Sequence, residues 1–193
     1  VLLIGHRNHP EVIGTMGQTN NDVYLVEKKE DVKKLPLDIN KEIAYVTQTT
    51  LSVDDTKDII SEIKKHFKNV LEPKKNDICY ATTNRQEAVK KVAANCDYFL
   101  VIGASNSSNS LRLVEVAKNY GSRKAILVED VDSLNLNIFD DIKNIGITAS
   151  ASSPEILVKK LLDKLRKNFD IHINEAHYQK EDIYFRVPQK LRS

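Results

Sequence analysis

The 193-residue sequence has two cysteines, no tryptophan, no long apolar run and almost no excess of either charge. Two cysteines cannot build a disulfide framework, so a reducing compartment is expected and each thiol must be explained singly. The apolar runs fall far short of the roughly 20 residues that span a bilayer, and a soluble protein is expected. Lysine and arginine number 29 against 27 acidic residues, a net charge of +2. With no long run of one sign, neither nucleic acid nor a membrane is expected as a partner. Neither a Walker A pattern nor G-x-G-x-x-G occurs, which weakens nucleotide readings. An initiator methionine is also missing. Val1 lies inside the apolar run VLLIG, which reads as a buried parallel strand, so an N-terminal portion is expected to precede it.

Short β-branched or apolar runs alternate with longer stretches of helical period: VLLIG at 1–5, VYLVE near 23, IAYVT near 43, YFLVIG near 98, KAILVE near 124 and IGIT near 145. That alternation predicts an α/β fold with parallel sheets, and the length suffices for one large or two small domains. A helix is expected over 52–67, with Ser52 and Asp55 in a capping-box spacing and Ile59, Ile60 and Ile63 on one face. Another is expected over 153–167, with Ser153 as N-cap and Pro154 at the first helical position.

The two halves repeat each other. A strand ending in Gly5 precedes His6 to His9, and a strand ending in Gly103 precedes ASNSSNS. Each half later carries T-x-[TS]-x-x-S-x-[DE]: Thr47, Thr49, Ser52 and Asp54 in one, Thr148, Ser150, Ser153 and Glu155 in the other. This predicts two similar small domains with parallel sheets, 1–75 and 76–167, divided near the EPKKND segment and followed by a tail at 168–193 with an edge strand at IYFRV. Cys79 lies 24 residues before Gly103. The same count back from Gly5 leaves the chain, so any counterpart is expected upstream.

Four groups can carry chemistry. GHRNHPE follows a strand and opens a Pro-initiated helix, where α/β folds place ligands. His6, His9 and Glu11 there suit a metal, or an anion contact beside a proton donor, or a plain solvated loop. NSSNS, Asn106 to Ser110, puts small donors beside the free N–H groups of a helix start, matching phosphate or carboxylate. The hydroxyl-rich turns TQTTLS and TASASSP read singly as helix caps and together as walls of a shared polar pocket. Cys79 in NDICYATTNRQ precedes a helix expected over 83–94, with Thr83 and Gln86 in a capping-box spacing. A cysteine there suits a nucleophile or a metal ligand, or is simply buried. Cys96 in AANCDYF is best left as core.

GHRNHPEVIGTMGQ, TQTTLSVDDT, DICYATTNRQEAV, IGASNSSNS and GITASASSPEILV closely resemble motifs of the 4-hydroxy-3-methylbut-2-enyl diphosphate reductase family, over essentially the whole chain. The resemblance implies the last two of three similar α/β domains in a pseudo-threefold architecture. It also implies reductive dehydroxylation of the substrate to isopentenyl and dimethylallyl diphosphate in non-mevalonate isoprenoid synthesis. The implied cofactor is a 4Fe-4S cluster held by three cysteines, one per domain, with Cys79 as one of them. The implied diphosphate ligands are His9, Ser107, Ser108, Asn109 and Ser152. Glu11 matches the proton donor, and Thr49 the residue that positions the substrate hydroxyl and relays the proton. An electron-donor protein such as ferredoxin or flavodoxin is implied, in a bacterial cytoplasm or a plastid. One thiolate cannot hold four irons, so this stretch alone is expected to be inactive. The other readings are a non-catalytic α/β module binding a phosphorylated ligand, and a hydrolase using His6, His9 and Glu11 on a metal.

Overall fold

A computed structural model describes residues 1–19, 22–176, 184 and 186–191. Two parallel sheets form from the six expected runs and one more. The first has strand order β2-β1-β3-β4, from β1 (Leu2–Ile4), β2 (Tyr24–Val26), β3 (Glu42–Thr47) and β4 (Asn69–Leu71). The last of these was not expected: it has only three residues and one partly buried side chain, too little for a pattern. The second sheet has order β6-β5-β7, from β5 (Tyr98–Ile102), β6 (Lys124–Val128) and β7 (Ile145–Ala149). The crossovers carry α1 (Pro10–Gly17), the single turn α2 (Lys29–Val32), α3 (Val53–His66) and α5 (Ser108–Asn119), while α4 (Tyr80–Val92) joins the sheets and α6 (Glu155–Asn168) follows β7.

The central strands are apolar on both faces because each is covered twice. In β5, Phe99 and Val101 pack with Val89 of the joining helix, with Ala93 just after it, and with Leu113 and Val116 of α5. Tyr98, Leu100 and Ile102 point the other way, onto Phe139 and onto Leu161 and Leu165 of α6. In the first sheet Leu2, Ile4, Ile43 and Tyr45 pack on Ile59 and Ile63 of α3 and on Phe67. Ile78, beyond the expected linker, completes that same core.

The helix predicted over 52–67 forms with Ser52 as N-cap, its Oγ accepting from the Asp55 N–H at 3.1 Å. Two others differ from expectation. Ser153 does not cap α6, because its Oγ donates to the Ile102 carbonyl at 3.0 Å; Pro154 holds the cap position instead. The joining helix starts at Tyr80 with Cys79 as N-cap, and the Thr83 N–H already bonds the Cys79 carbonyl at 2.9 Å. Thr83 and Gln86 therefore make no capping box.

The repeat is real but one residue out of step with the motif. The Gln48 N–H donates to the Ile4 carbonyl and the Ser150 N–H to the Ile102 carbonyl, both at 2.8 Å. Gln48 is thus the counterpart of Ser150, and the N-cap Ser52 that of Pro154. The sequence motif paired Thr49 with Ser150 because small hydroxyl residues on both sides disguise the shift. The edge strand expected at IYFRV includes positions 183 and 185, which lie outside the described residues.

Candidate active site

Both central strands end in a glycine that the packing requires. A Cβ on Gly5 would stand 2.6 Å from Val12 Cγ2, and one on Gly103 would collide with the Ser110 side chain. The helix after each strand can therefore start close to the sheet. Each intervening loop is pinned in the same way: Glu27 accepts from the Arg7 N–H at 2.8 Å, and Glu129 from the Ser105 N–H at 2.7 Å. Each loop ends on an N-cap, His9 Nδ1 accepting from the Glu11 N–H and Ser107 Oγ from the Ser110 N–H, both at 3.3 Å. His9 and Ser107 are therefore equivalent positions, as are Glu11 and Asn109, each two residues after its cap.

The equivalent residues reach toward the equivalent turns. Both Glu11 carboxylate oxygens accept from Thr49, one from its N–H and one from its hydroxyl, each at 2.8 Å. In the other half Asn109 Nδ2 donates to Ser150 Oγ at 3.2 Å, and Ser150 Oγ lies 3.4 Å from Ser152 Oγ. Either of these two hydroxyls can donate to the other. Gln48 Nε2 donates to Ser108 Oγ at 3.4 Å, which leaves the Ser108 proton free for another acceptor. Such a set presents protons, and its complement is an acceptor-only group such as a phosphoryl oxygen. Asn109 Oδ1 is buried beside these groups and has no protein partner.

Cys79 is exposed at the start of the joining helix and its side chain makes no capping bond. Its N–H donates to the Thr49 carbonyl at 3.0 Å, so thiol, Thr49 and Glu11 share one neighbourhood. Cys96 is half-buried with the second core, and burial, then the Asp97 charge, push its thiol pKa up. His6 faces Arg112. Its Nε2 lies 3.2 Å from a guanidinium nitrogen of Arg112, and partial desolvation and that charge hold the imidazole below its ordinary value. Among the described residues no three His, Cys, Asp or Glu side chains gather to hold a metal ion.

Three residues of this region are not among the candidate site residues of the sequence. Gln48, Ser150 and Gln86 are all buried, and all three hydrogen-bond across elements. For Gln86 a signal exists: it stands on the apolar stripe with Val89 and Ala93, where a polar side chain demands partners. A cavity of about 280 Å³ lies beside this region, lined by His6, Glu27, Ser52, Asp55 and Arg112 among others; of the candidate residues it includes His6 and none of those matched to the diphosphate, the proton donor or the cluster.

A family model described as LytB protein matches residues 1–166. Among curated relatives, the 4-hydroxy-3-methylbut-2-enyl diphosphate reductase of Methylocella silvestris is 46% identical over 193 residues, covering all of this chain and 60% of its own length. That of Ruegeria pomeroyi is 48% identical and is covered over 61%. A solved structure, the E-1-hydroxy-2-methyl-but-2-enyl-4-diphosphate reductase from Plasmodium falciparum, superposes with a TM-score of 0.82 at 36% identity, over 93% of this chain and 58% of that one. The chain thus spans about 60% of the length of the curated relatives it matches. Among the described residues, no helix is long and apolar enough to cross a membrane.

Proposed function

The chain belongs to the LytB family, and on that premise we propose that it is the diphosphate-binding and proton-delivering part of a reductase that removes the hydroxyl of 4-hydroxy-3-methylbut-2-enyl diphosphate. The observation that carries the reading is the double hydrogen bond of Glu11 to Thr49 beside the exposed Cys79. His9 at the start of α1, Ser107, Ser108 and Asn109 at the start of α5, and Ser152 in the turn before α6 bind the diphosphate, where helix N–H groups and aligned dipoles favour anions. Thr49 then faces the substrate hydroxyl: a protonated Glu11 would donate to Thr49 Oγ while the Thr49 hydroxyl turns to the substrate oxygen, so that with two electrons from the reductant the C–O bond breaks and the oxygen leaves as water. The division into units 1–75 and 76–167 with a tail from 168 is part of the same proposal.

The family's 4Fe-4S cluster takes three cysteines. The residues described here offer one exposed thiol and no gathered set of ligands, so by themselves they do not fit the cluster. They fit its Cys79 corner and the acid and anion end of the reaction. The electrons enter from a ferredoxin or flavodoxin, in a bacterial cytoplasm or a plastid.

The test is anaerobic purification of the full-length protein. Brown colour with charge-transfer absorbance, and conversion of the substrate to the two isomeric diphosphates on reduction, are expected. A colourless protein that binds inorganic diphosphate without turnover would establish the non-catalytic phosphoryl-binding module instead.

A further inference from the structure

We propose that Gln86 is a positioning residue that fixes Cys79 against the Glu11–Thr49 pair; the inference relies on the reading above only for what that pair does. The Gln86 side chain is 0% exposed. Its Oε1 accepts from the Val53 N–H at 3.0 Å and its Nε2 donates to the Leu51 carbonyl at 2.8 Å. Val53 opens α3, so its N–H is one of the groups that a helix start leaves without an internal partner. Both partners are backbone, and both lie in the segment that leads from Thr49 into α3.

The joining helix meets that segment along one line. At about 100° per residue, Cys79, Gln86 and Lys90 fall within about 20° of a single stripe. Their partners follow in chain order: the Thr49 carbonyl for the Cys79 N–H, Leu51 and Val53 for Gln86, and Asp54 for Lys90, whose Nζ lies 2.8 Å from Asp54 Oδ1. The Cys79 contact alone is a pivot at an exposed helix end. Gln86 adds a second attachment about 10 Å along the axis, and two points fix an axis. The remaining apolar contacts of Val89 and Ala93 tie the helix to the second sheet, not to the loop carrying Thr49. Without Gln86 the helix would be held to the Thr49 segment at its start, by the Cys79 N–H and by Ile78 in the first core, and beyond it only by the Lys90–Asp54 pair, with no buried bond between.

The test uses the intact protein with Gln86→Met, which keeps the side-chain length and removes both hydrogen bonds. Val53 amide exchange should rise about tenfold, as for the loss of one net hydrogen bond, with Ile63 in the same helix unchanged. In the cluster-free protein, alkylation of Cys79 by iodoacetamide, followed by peptide mass so that Cys96 is counted separately, should change by several-fold. In the loaded enzyme kcat should fall with KM for substrate unchanged, because the diphosphate ligands are untouched. If Gln86→Met fails to fold, Gln86→Asn, which draws the same amide back by one methylene, carries the test. A lowered melting temperature with unchanged Cys79 alkylation and unchanged kcat would overturn the proposal and leave Gln86 a packing residue. If the wild-type protein shows no turnover, the functional reading fails, while exchange and alkylation still decide the role of Gln86.

Discussion

Replacing Glu11 with glutamine in the full-length, cluster-loaded protein separates chemistry from structure. The carboxylate receives two hydrogen bonds from Thr49, both at 2.8 Å. In Glu11→Gln the amide oxygen still accepts from the Thr49 N–H, and the amide nitrogen donates to the Thr49 oxygen once that hydroxyl rotates. Two contacts persist, neutral instead of charge-assisted, at an exposed position. The expected stability loss is about 1 kcal/mol or less from the hydrogen bonds and about 0.3–1 kcal/mol from the lost charge at the start of α1. Loss of the proton donor costs about 10²–10⁴ in rate, equivalent to about 2.7–5.4 kcal/mol of barrier. The kinetic effect therefore exceeds the structural one. A thermal melt, a substrate titration and a single-turnover rate on one preparation decide the matter, with near-normal melting and binding and collapsed turnover expected. Turnover near wild type would show that Glu11 only fixes the Thr49 turn and complements its helix.

Cys79→Ser in the intact protein should abolish stable cluster binding, while Cys96→Ser, in a half-buried core position, should not; equal iron content in wild type and Cys79→Ser would remove the assignment. Asn109→Ala should weaken substrate and inorganic diphosphate alike, because it removes the bond to Ser150 Oγ as well as its own contact with the ligand; calorimetry showing loss for the substrate only would contradict a phosphoryl role. Gly146→Ala places a methyl group against the Phe99 ring and 2.9 Å from Cys96 Sγ, and chemical denaturation should show a loss of about 1–3 kcal/mol. The Asn144 and Lys143 N–H groups hold the Asp97 carboxyl below the usual carboxylate range. Its contribution is full above the ordinary aspartate value and is lost as pH falls through the lowered one. Urea midpoints for Asp97→Asn should therefore change less on acidification than those of the wild type, and parallel curves would refute this.

The six principal strands were legible because buried parallel strands write continuous apolar runs, and VLLIG and YFLVIG leave little else to be. The short strand Asn69–Leu71 and the turn Lys29–Val32 were not, since three or four residues establish no period. Helix starts were read correctly where a side chain does the capping, as at Ser52. They were misread at Ser153, whose hydroxyl turns to a strand carbonyl, and at Thr83, where a cysteine opens the helix. Local sequence cannot tell which of two neighbouring hydroxyls caps a helix and which bonds a distant strand. For the same reason the motifs exposed Glu11, Thr49, Asn109 and Cys79 as candidates, while Gln48, Ser150 and Gln86 surfaced only with their long-range partners.

Ile78 follows the segment that joins the sheets yet is 4% exposed in the core of the first. Residues 1–75 therefore cannot finish their own hydrophobic packing, and a chain cut there should expose the gap as a loosened, dye-binding species. During synthesis the first sheet has to wait for the joining helix to emerge before its core closes and Gln86 caps α3. Its parallel strands already depend on contacts distant in sequence, which slows folding. The added dependence couples the two sheets into one cooperative transition, so denaturant and heat should melt both together.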